Sequence, residues 1–117
     1  ELEASQANIA FKIVRWPFHE NDRARAERRS DGHVKVIIAN NGKILGAAIT
    51  GALAADLLTP WSLAMAQKLK LSAMAGLVVP YPTRSEASKR AAGDFYGRKL
   101  FNARGRLIVK IINKLLT

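Results

Sequence analysis

The sequence contains no cysteine among its 117 residues. This absence excludes disulfide frameworks, zinc sites built on cysteine and any thiol chemistry carried by the chain itself. The two histidines, His19 and His33, are separated along the chain and have no cysteine near them. We therefore interpret them as solvent-facing loop residues and predict no metal site.

Long hydrophobic runs and clustered glycines are also missing. No run approaches the roughly 18 uninterrupted apolar residues of a membrane span, and no signal-peptide pattern opens the chain. Gly42, Gly46 and Gly51 are spaced along a segment that matches neither the dinucleotide fingerprint nor the P-loop. We expect the chain to bind no cofactor by itself and to be inactive alone.

Acidic residues are few, so the formal net charge is +10, from 19 basic and nine acidic residues. Residues 84–117 hold nine of the basic residues and only two acidic ones, whereas residues 20–31 carry balanced charges that are typical of a solvated connector. The positive net charge makes a nucleic-acid partner one alternative, because basic residues bind phosphates. The aromatic residues are not interleaved with the basic cluster, which disfavours that alternative.

Two strand signals precede the middle of the chain. Phe11–Phe18 is rich in aromatic and β-branched residues, and Pro17 places its end at a sheet edge. Val34–Ala39 and Lys43–Thr50 flank Asn40-Asn41-Gly42, which predicts a β-hairpin closed by a type I′ turn.

Helices are predicted after the hairpin. Apolar residues recur at helical spacing over Ala52–Leu71, where Pro60 predicts a kink or a restart capped by Thr59. The apolar run Leu77–Val79 is compatible with a short buried strand. Thr83-Arg84-Ser85-Glu86 has the form of a capping box and predicts a helix over Arg84–Tyr96, with a small inner face formed by Ala87, Ala91, Ala92 and Phe95.

The last segment, 102–117, is predicted to be a separate basic amphipathic helix. Its apolar stripe comprises Leu107, Ile108, Ile111, Ile112, Leu115 and Leu116, and the basic residues expected away from the stripe are Arg104, Arg106, Lys110 and Lys114. Such a helix either docks on protein or lies on an anionic membrane surface. Docking is the preferred interpretation, and weak membrane contact through 103–117 is the alternative.

The predicted fold class is therefore α+β: a mostly antiparallel sheet with a central Asn-Gly hairpin, helices packed on it, and the amphipathic C-terminal helix. With 49% hydrophobic residues, a chain of this length can bury a core without covalent staples.

One stretch resembles a known family. Pro80–Ala87, followed by Lys89 and Ala91-Ala92, is similar to the last conserved block of the FAD-dependent pyridine nucleotide-disulfide oxidoreductases, which include dihydrolipoamide dehydrogenase and mercuric reductase. The segments upstream that fit the same register are Gly32–Lys35, Ile44–Ala47, Gly51 and Leu63–Ala66. The resemblance covers the family's C-terminal dimerisation domain and spans about residues 9–100 of this chain.

The resemblance implies a division of the chain and a set of partners. Residues 1–101 would be the dimerisation domain of a longer chain, which also agrees with a sequence that begins at Glu1. The FAD and NAD(P) domains and the redox cysteines would lie upstream. The implied partners are a second copy of the chain and those upstream domains, and we expect a cytoplasmic location.

The resemblance also implies that the domain lends residues to the active site of the partner subunit. The family usually places a histidine five residues before a glutamate; here the glutamate is Glu86, and Tyr81 stands at the histidine's place. Tyrosine, with a pKa of about 10, is a hydrogen-bond donor and a poor base at neutral pH. Mercuric reductase has a tyrosine at this place, but its tail carries a cysteine pair that this tail lacks. Two structural roles stay open: Glu86 as part of a helix cap, and Tyr81 as an interface packing residue.

Overall fold

A computed structural model describes residues 1–100 and 102–116. The strands are β1 (Phe11–Pro17), β2 (His33–Ala39) and β3 (Ile44–Thr50). The helices are α1 (Leu2–Gln6), α2 (Asp22–Ala26), α3 (Ala54–Ala66), α4 (Leu71–Ala75), α5 (Glu86–Leu100) and α6 (Ala103–Leu116), and a 3₁₀ turn covers Phe18–Glu20. The strands form one antiparallel sheet in the order β1-β2-β3, which confirms the predicted α+β class.

The alternating sequence of β2 builds the centre of the sheet. Val34, Val36 and Ile38 point to one face and are fully buried, as the two-residue period of a strand requires. β1 pairs with β2 along its whole length, from Phe11 opposite Ala39 to Pro17 opposite His33. Because β1 is an edge strand, the missing amide of Pro17 interrupts no second ladder, and the predicted edge position is confirmed.

The hairpin is confirmed, but its turn differs from the predicted type I′ geometry. Of the turn residues, only Gly42 has a positive φ, +86°, whereas a type I′ turn needs positive φ at both central residues. The Gly42 amide donates to the Ala39 carbonyl at 2.9 Å, and the Ala39 amide donates to Lys43 at 2.9 Å. The loop is therefore a three-residue turn that ends in the left-handed glycine, and the β2–β3 register shifts just beyond it, between Ile37 and Ile38.

Of the kink or restart predicted at Pro60, the restart is wrong, because one continuous helix, α3, runs from Ala54 to Ala66 with Pro60 inside it. Pro60 has no amide hydrogen, so only the Asp56 carbonyl loses its helical hydrogen bond. Because Asp56 is exposed, water can donate to that carbonyl instead. On the buried face, Leu57 and Trp61 hold both sides of the proline against the core.

The predicted strand at Leu77–Val79 is also wrong. These residues follow α4 without regular secondary structure, and Val78 is 95% exposed. The three-stranded sheet ends with β1 and β3, so this apolar run has no strand partner in the described part of the chain.

Helix α5 closes the core with small residues, as predicted. Ala87, Ala91 and Ala92 are fully buried, which lets the helix approach β1, β2 and α4 closely. A buried hydrogen bond of 2.9 Å from Trp61 Nε1 to Ser88 Oγ joins α3 to α5. These contacts fix the start of α5, and with it the loop that precedes the helix.

Helix α6 extends the chain beyond this core. Asn102 caps its start, since the Asn102 side-chain oxygen accepts from the Gly105 amide at 2.9 Å. The apolar residues Leu107 to Leu116 are between 47% and 80% exposed. None of the helices in residues 1–100 and 102–116 is long and apolar enough to cross a membrane.

Candidate functional site at the loop before helix α5

The loop from Leu77 to Ser85 carries Tyr81, and the second predicted site residue, Glu86, is the first residue of helix α5 directly after it. Its Tyr81–Pro82 peptide bond is cis. The Thr83 hydroxyl donates to the Pro80 carbonyl at 2.7 Å, while the Glu86 amide lies 3.4 Å from the Thr83 backbone carbonyl. The predicted capping box is therefore wrong, because the Thr83 side chain is committed to the loop and the helix begins at Glu86.

Asn21 holds this loop against the connector. Its side chain is buried; the side-chain oxygen accepts from the Ala24 amide at 2.9 Å, and the side-chain nitrogen donates to the Thr83 carbonyl at 3.0 Å. One residue thus caps α2 and fixes the loop. The charged connector, interpreted from sequence as a solvated segment, contributes directly to the geometry of the site.

Arg84 is the second anchor and is 4% exposed. Its guanidinium donates to the carbonyls of Ala52 at 3.2 Å and Arg29 at 3.0 Å, and it lies 4.4 Å from the centre of the Phe18 ring. Burial lowers the pKa of Arg84 from its ordinary value, and the nearby Glu27 carboxylate opposes that effect. The buried charge ties the loop to the connector and to the segment before α3.

Tyr81 is 69% exposed, and its hydroxyl donates a hydrogen bond of 2.8 Å to Asp22 Oδ2. This hydrogen bond, assisted by the negative charges of Asp22 and Glu86, raises the pKa of Tyr81 above its usual value. The phenol therefore stays neutral at physiological pH and cannot serve as a general base there.

Tyr81 and Glu86 line one shallow depression of about 160 Å³, which also includes Asp22 and Arg90. Trp16 lines the same depression, and its indole Nε1 is buried without a hydrogen-bond partner among the described residues. A wider groove continues along α5 past Glu86 and Arg90. The structure thus brings the two predicted site residues together and surrounds them with carboxylates and one guanidinium.

The arrangement offers hydrogen bonding and charge. Within residues 1–100 and 102–116, no group of three His, Asp or Glu side chains is placed to hold a metal ion. The single phenolic proton is committed to Asp22, so the remaining lone pairs of the Tyr81 oxygen can accept a hydrogen bond from an incoming group. Glu86 and Arg90 can pair with groups of either charge beside it.

Apolar surface continues from this loop into solvent. Val78 stands three residues before Tyr81, and Leu77 is also exposed. An exposed valine, leucine and tyrosine on one short loop are unusual on a surface that faces only water, and such residues are typical of protein interfaces.

Sequence reasoning missed Asn21, Asp22 and Arg84 as parts of the site. Asn21 directly before the short helical signal of Asp22–Ala26 is a recognisable N-cap pattern, but its second hydrogen bond spans 62 residues. The Tyr81–Asp22 contact spans 59 residues. Local patterns carry no information about such distant pairs.

The family whose sequence model matches this chain is described as "Pyridine nucleotide-disulphide oxidoreductase, dimerisation domain", and the match covers residues 1–92. It includes the site loop and the first half of α5, and it ends before α6. The match starts earlier and ends sooner than the expected span of 9–100.

The curated relatives are consistent with that match. Dihydrolipoyl dehydrogenase 3 of Pseudomonas aeruginosa is 31% identical over 103 residues, which is 87% of this chain and 22% of the relative. The mitochondrial dihydrolipoyl dehydrogenase of Dictyostelium discoideum is 35% identical over 101 residues, 86% of this chain and 21% of the relative. The chain thus spans about a fifth of these relatives.

Solved structures share the fold. The HOCl-induced flavoprotein disulfide reductase RclA of Escherichia coli aligns over 80% of this chain and 22% of its own, with a TM-score of 0.75 and 21% identity. LpdA of Mycobacterium tuberculosis aligns over 80% of this chain and 21% of its own, with a TM-score of 0.73 and 21% identity. The nucleic-acid alternative receives no support from these comparisons.

Proposed function

Because the chain belongs to the pyridine nucleotide-disulphide oxidoreductase dimerisation-domain family, we propose that it forms the subunit interface of a flavin-dependent, NAD(P)-linked oxidoreductase related to dihydrolipoyl dehydrogenase. The proposed assembly is a homodimer in which residues 1–101 make the contact and 102–117 form a separate element. A cytoplasmic location is part of the same proposal.

FAD and NAD(P) are assigned in this proposal to other domains of the parent enzyme. A Cβ at Gly32 would meet the Thr50 carbonyl oxygen at 1.9 Å, and one at Gly51 would meet the Asp31 carbonyl oxygen at 2.7 Å. Both glycines therefore serve close approaches within the chain and leave no space for a phosphate. Gly42 closes the hairpin turn, so these three positions do not fit a dinucleotide cradle.

The exposed loop is the observation that carries the proposal. Tyr81 and Val78 project from a loop whose backbone is held by Asn21 and Arg84. A rigid backbone that presents apolar side chains to solvent lowers the conformational cost of association. We propose that this loop enters the partner subunit and brings Tyr81 and Glu86 to its active site.

The chemistry of Tyr81 limits its role in that site. Its raised pKa keeps the proton on the phenol, so we propose that Tyr81 positions a reacting group by hydrogen bonding and does not remove a proton from it. Glu86, four residues before Arg90 on the same helix, supplies the negative charge beside the phenol. The base that the family usually provides here as histidine must come from another group or be dispensable.

The dimer is tested by sedimentation equilibrium of the chain and of two matched variants. We expect the wild type to be dimeric at about 10 μM or above, because a specific interface buries more than about 1,200 Å² in total. Val78→Asp should weaken association by at least about tenfold, since it forces a charge into the interface.

Leu2→Asp is the matched control, because Leu2 is also exposed but belongs to α1 and not to the loop. It should leave the dissociation constant unchanged. A wild-type chain that remains monomeric, or equal weakening by both variants, would contradict the proposed interface.

A further inference from the structure

Helix α6 lies beyond the residues that match the dimerisation-domain family. Its apolar residues are exposed, and the residues matched to the family end at 92. Helix α6 packs against α5. Within residues 1–100 and 102–116, the apolar face of α6 is largely exposed and lies outside the buried cluster.

Six cations and no acidic residue follow Asp94 in the sequence: Arg98, Lys99, Arg104, Arg106, Lys110 and Lys114. Arg98 pairs with Asp94 at 2.8 Å. No acidic side chain stands among or after the other five basic residues in the sequence. This end of the chain is thus strongly positive.

Two grooves place this charge beside the apolar face. The first is cationic and lies between β1 and α5; its basic lining residues are Lys12, Arg15, Arg98 and Lys99. The second is mostly apolar and lies between α5 and α6, lined by Ile108, Val109 and Ile112 with Tyr96. Lys99 and Asn102 line both grooves, so the two adjoin each other.

The position of Arg104 differs from the sequence prediction and adds a basic residue to the apolar groove. It was expected away from the apolar stripe, yet it lines the groove that contains Ile108 and Ile112, because positions 104, 108 and 112 are four residues apart and share a helix face. A long arginine at the end of an apolar face can keep its charge at a polar boundary while its stem lies on the apolar side.

We propose that α6 and the adjoining cationic groove form a docking surface for a lipid bilayer that carries anionic headgroups. The aliphatic face enters the headgroup–acyl boundary, and the cations contact lipid phosphates. A second copy of α6 is the weaker occupant, because two like-charged helices without acidic residues repel each other. In a dimer, two such helices on one assembly would bind the surface with avidity.

The test is co-sedimentation of the full 117-residue chain with lipid vesicles. One set of vesicles is phosphatidylcholine alone, and the other contains about 30 mol% phosphatidylglycerol to supply negative surface potential. We expect binding to the anionic vesicles that weakens by at least about tenfold between about 0.1 M and about 0.5 M salt, since salt screens the headgroup charge. Equal binding to both vesicle types, or none to the anionic ones, would overturn the proposal.

Three double variants separate the contributions. Lys110→Gln with Lys114→Gln should weaken anionic-vesicle binding by about tenfold, because each cation near the surface adds attraction. Ile111→Asn with Leu115→Asn keeps the charge and should weaken binding by about tenfold or more through lost apolar burial. The matched control, Arg25→Gln with Arg28→Gln, removes the same charge from exposed positions on and just after α2 and should bind as the wild type does.

The same variants identify the other occupants. If the Arg25/Arg28 control weakens binding as much as the Lys110/Lys114 variant, only net charge matters and the docking surface is wrong. If the Ile111/Leu115 variant lowers the sedimenting mass without lipid and the wild type binds no vesicles, the surface pairs two copies instead. If duplex DNA displaces the wild type from vesicles and binds the Ile111/Leu115 variant unchanged, the surface is a nucleic-acid site.

Discussion

At the scale of single residues, Tyr81 shows how one contact decides what a side chain can do. Its identity predicts a hydrogen-bonding group, and its exposure leaves it available to a partner. The Tyr81 hydroxyl donates its hydrogen bond to Asp22, and this contact raises the pKa of Tyr81. The sequence supports the first step only, because Asp22 lies 59 residues away.

The titration of Tyr81 is a direct test of this contact. In a Tyr96→Phe background, which leaves one tyrosine, absorbance at the phenolate band should give a midpoint above the ordinary value of about 10. Asp22→Asn should lower that midpoint, because it removes the charge that disfavours the phenolate. Asp56→Asn, an exposed carboxylate on α3, is the control and should leave it unchanged.

The raised pKa of Tyr81 also determines how the stability of the fold depends on pH. The folded chain holds the Tyr81 proton more tightly than the unfolded chain, so this contribution is complete below pH about 10 and is lost as pH rises through the folded pKa. A midpoint at or below the ordinary value, or one insensitive to Asp22→Asn, would show that the hydrogen bond does not persist in solution.

At the scale of elements, the accuracy of the sequence predictions depends on whether the decisive signal is local. The strand Phe11–Pro17 and the hairpin around Asn41-Gly42 were predicted because period and turn residues lie within a few positions. Leu77–Val79 was misread as a strand, since an apolar run does not distinguish burial in the chain's own sheet from exposure on a loop. Thr83 fits a capping pattern, but its hydroxyl donates to Pro80.

Arg84 is the residue on which the arrangement of elements depends most. Its guanidinium donates to carbonyls of two separate segments and is almost fully buried. We expect Arg84→Ala to lower the free energy of unfolding by about 3 kcal/mol, because it removes the donor to the Ala52 and Arg29 carbonyls and the packing on Phe18. Arg84→Lys should restore little of this stability, since a lysine ammonium cannot reproduce the two hydrogen bonds of the planar guanidinium.

Urea unfolding at neutral pH and fixed protein concentration measures this effect. Arg98→Ala is the matched control: its side chain is 80% exposed and pairs with Asp94 on the same helix, so its loss should change the free energy of unfolding by no more than about 0.5 kcal/mol. If Arg84→Ala proves as mild as Arg98→Ala, the loop is not anchored through this residue.

At the scale of the whole molecule, the chain combines two surfaces with different origins. The buried hydrophobic cluster draws on β1–β3, the 3₁₀ turn, α2, α3, α4 and the first half of α5, and it lies within the family match to residue 92. Helix α6 adds a charged amphipathic surface after that match, and none of its residues with a described burial, 104–116, belongs to the buried cluster. The composition predicted the basic excess and the spacing of apolar residues predicted the amphipathic helix, but neither showed which face of that helix is exposed.

Removing α6 tests this division. A chain that ends at Asn102 should unfold with the same free energy as the full chain within about 0.5 kcal/mol, because changes away from buried contacts cost little. It should also keep the same dimer dissociation constant if the proposed interface is the loop around Val78. A loss of about 2 kcal/mol or more would mean that the apolar face of α6 packs on the domain in solution. That result would contradict the division of the chain at 101/102 and the proposal that this face is available to a bilayer.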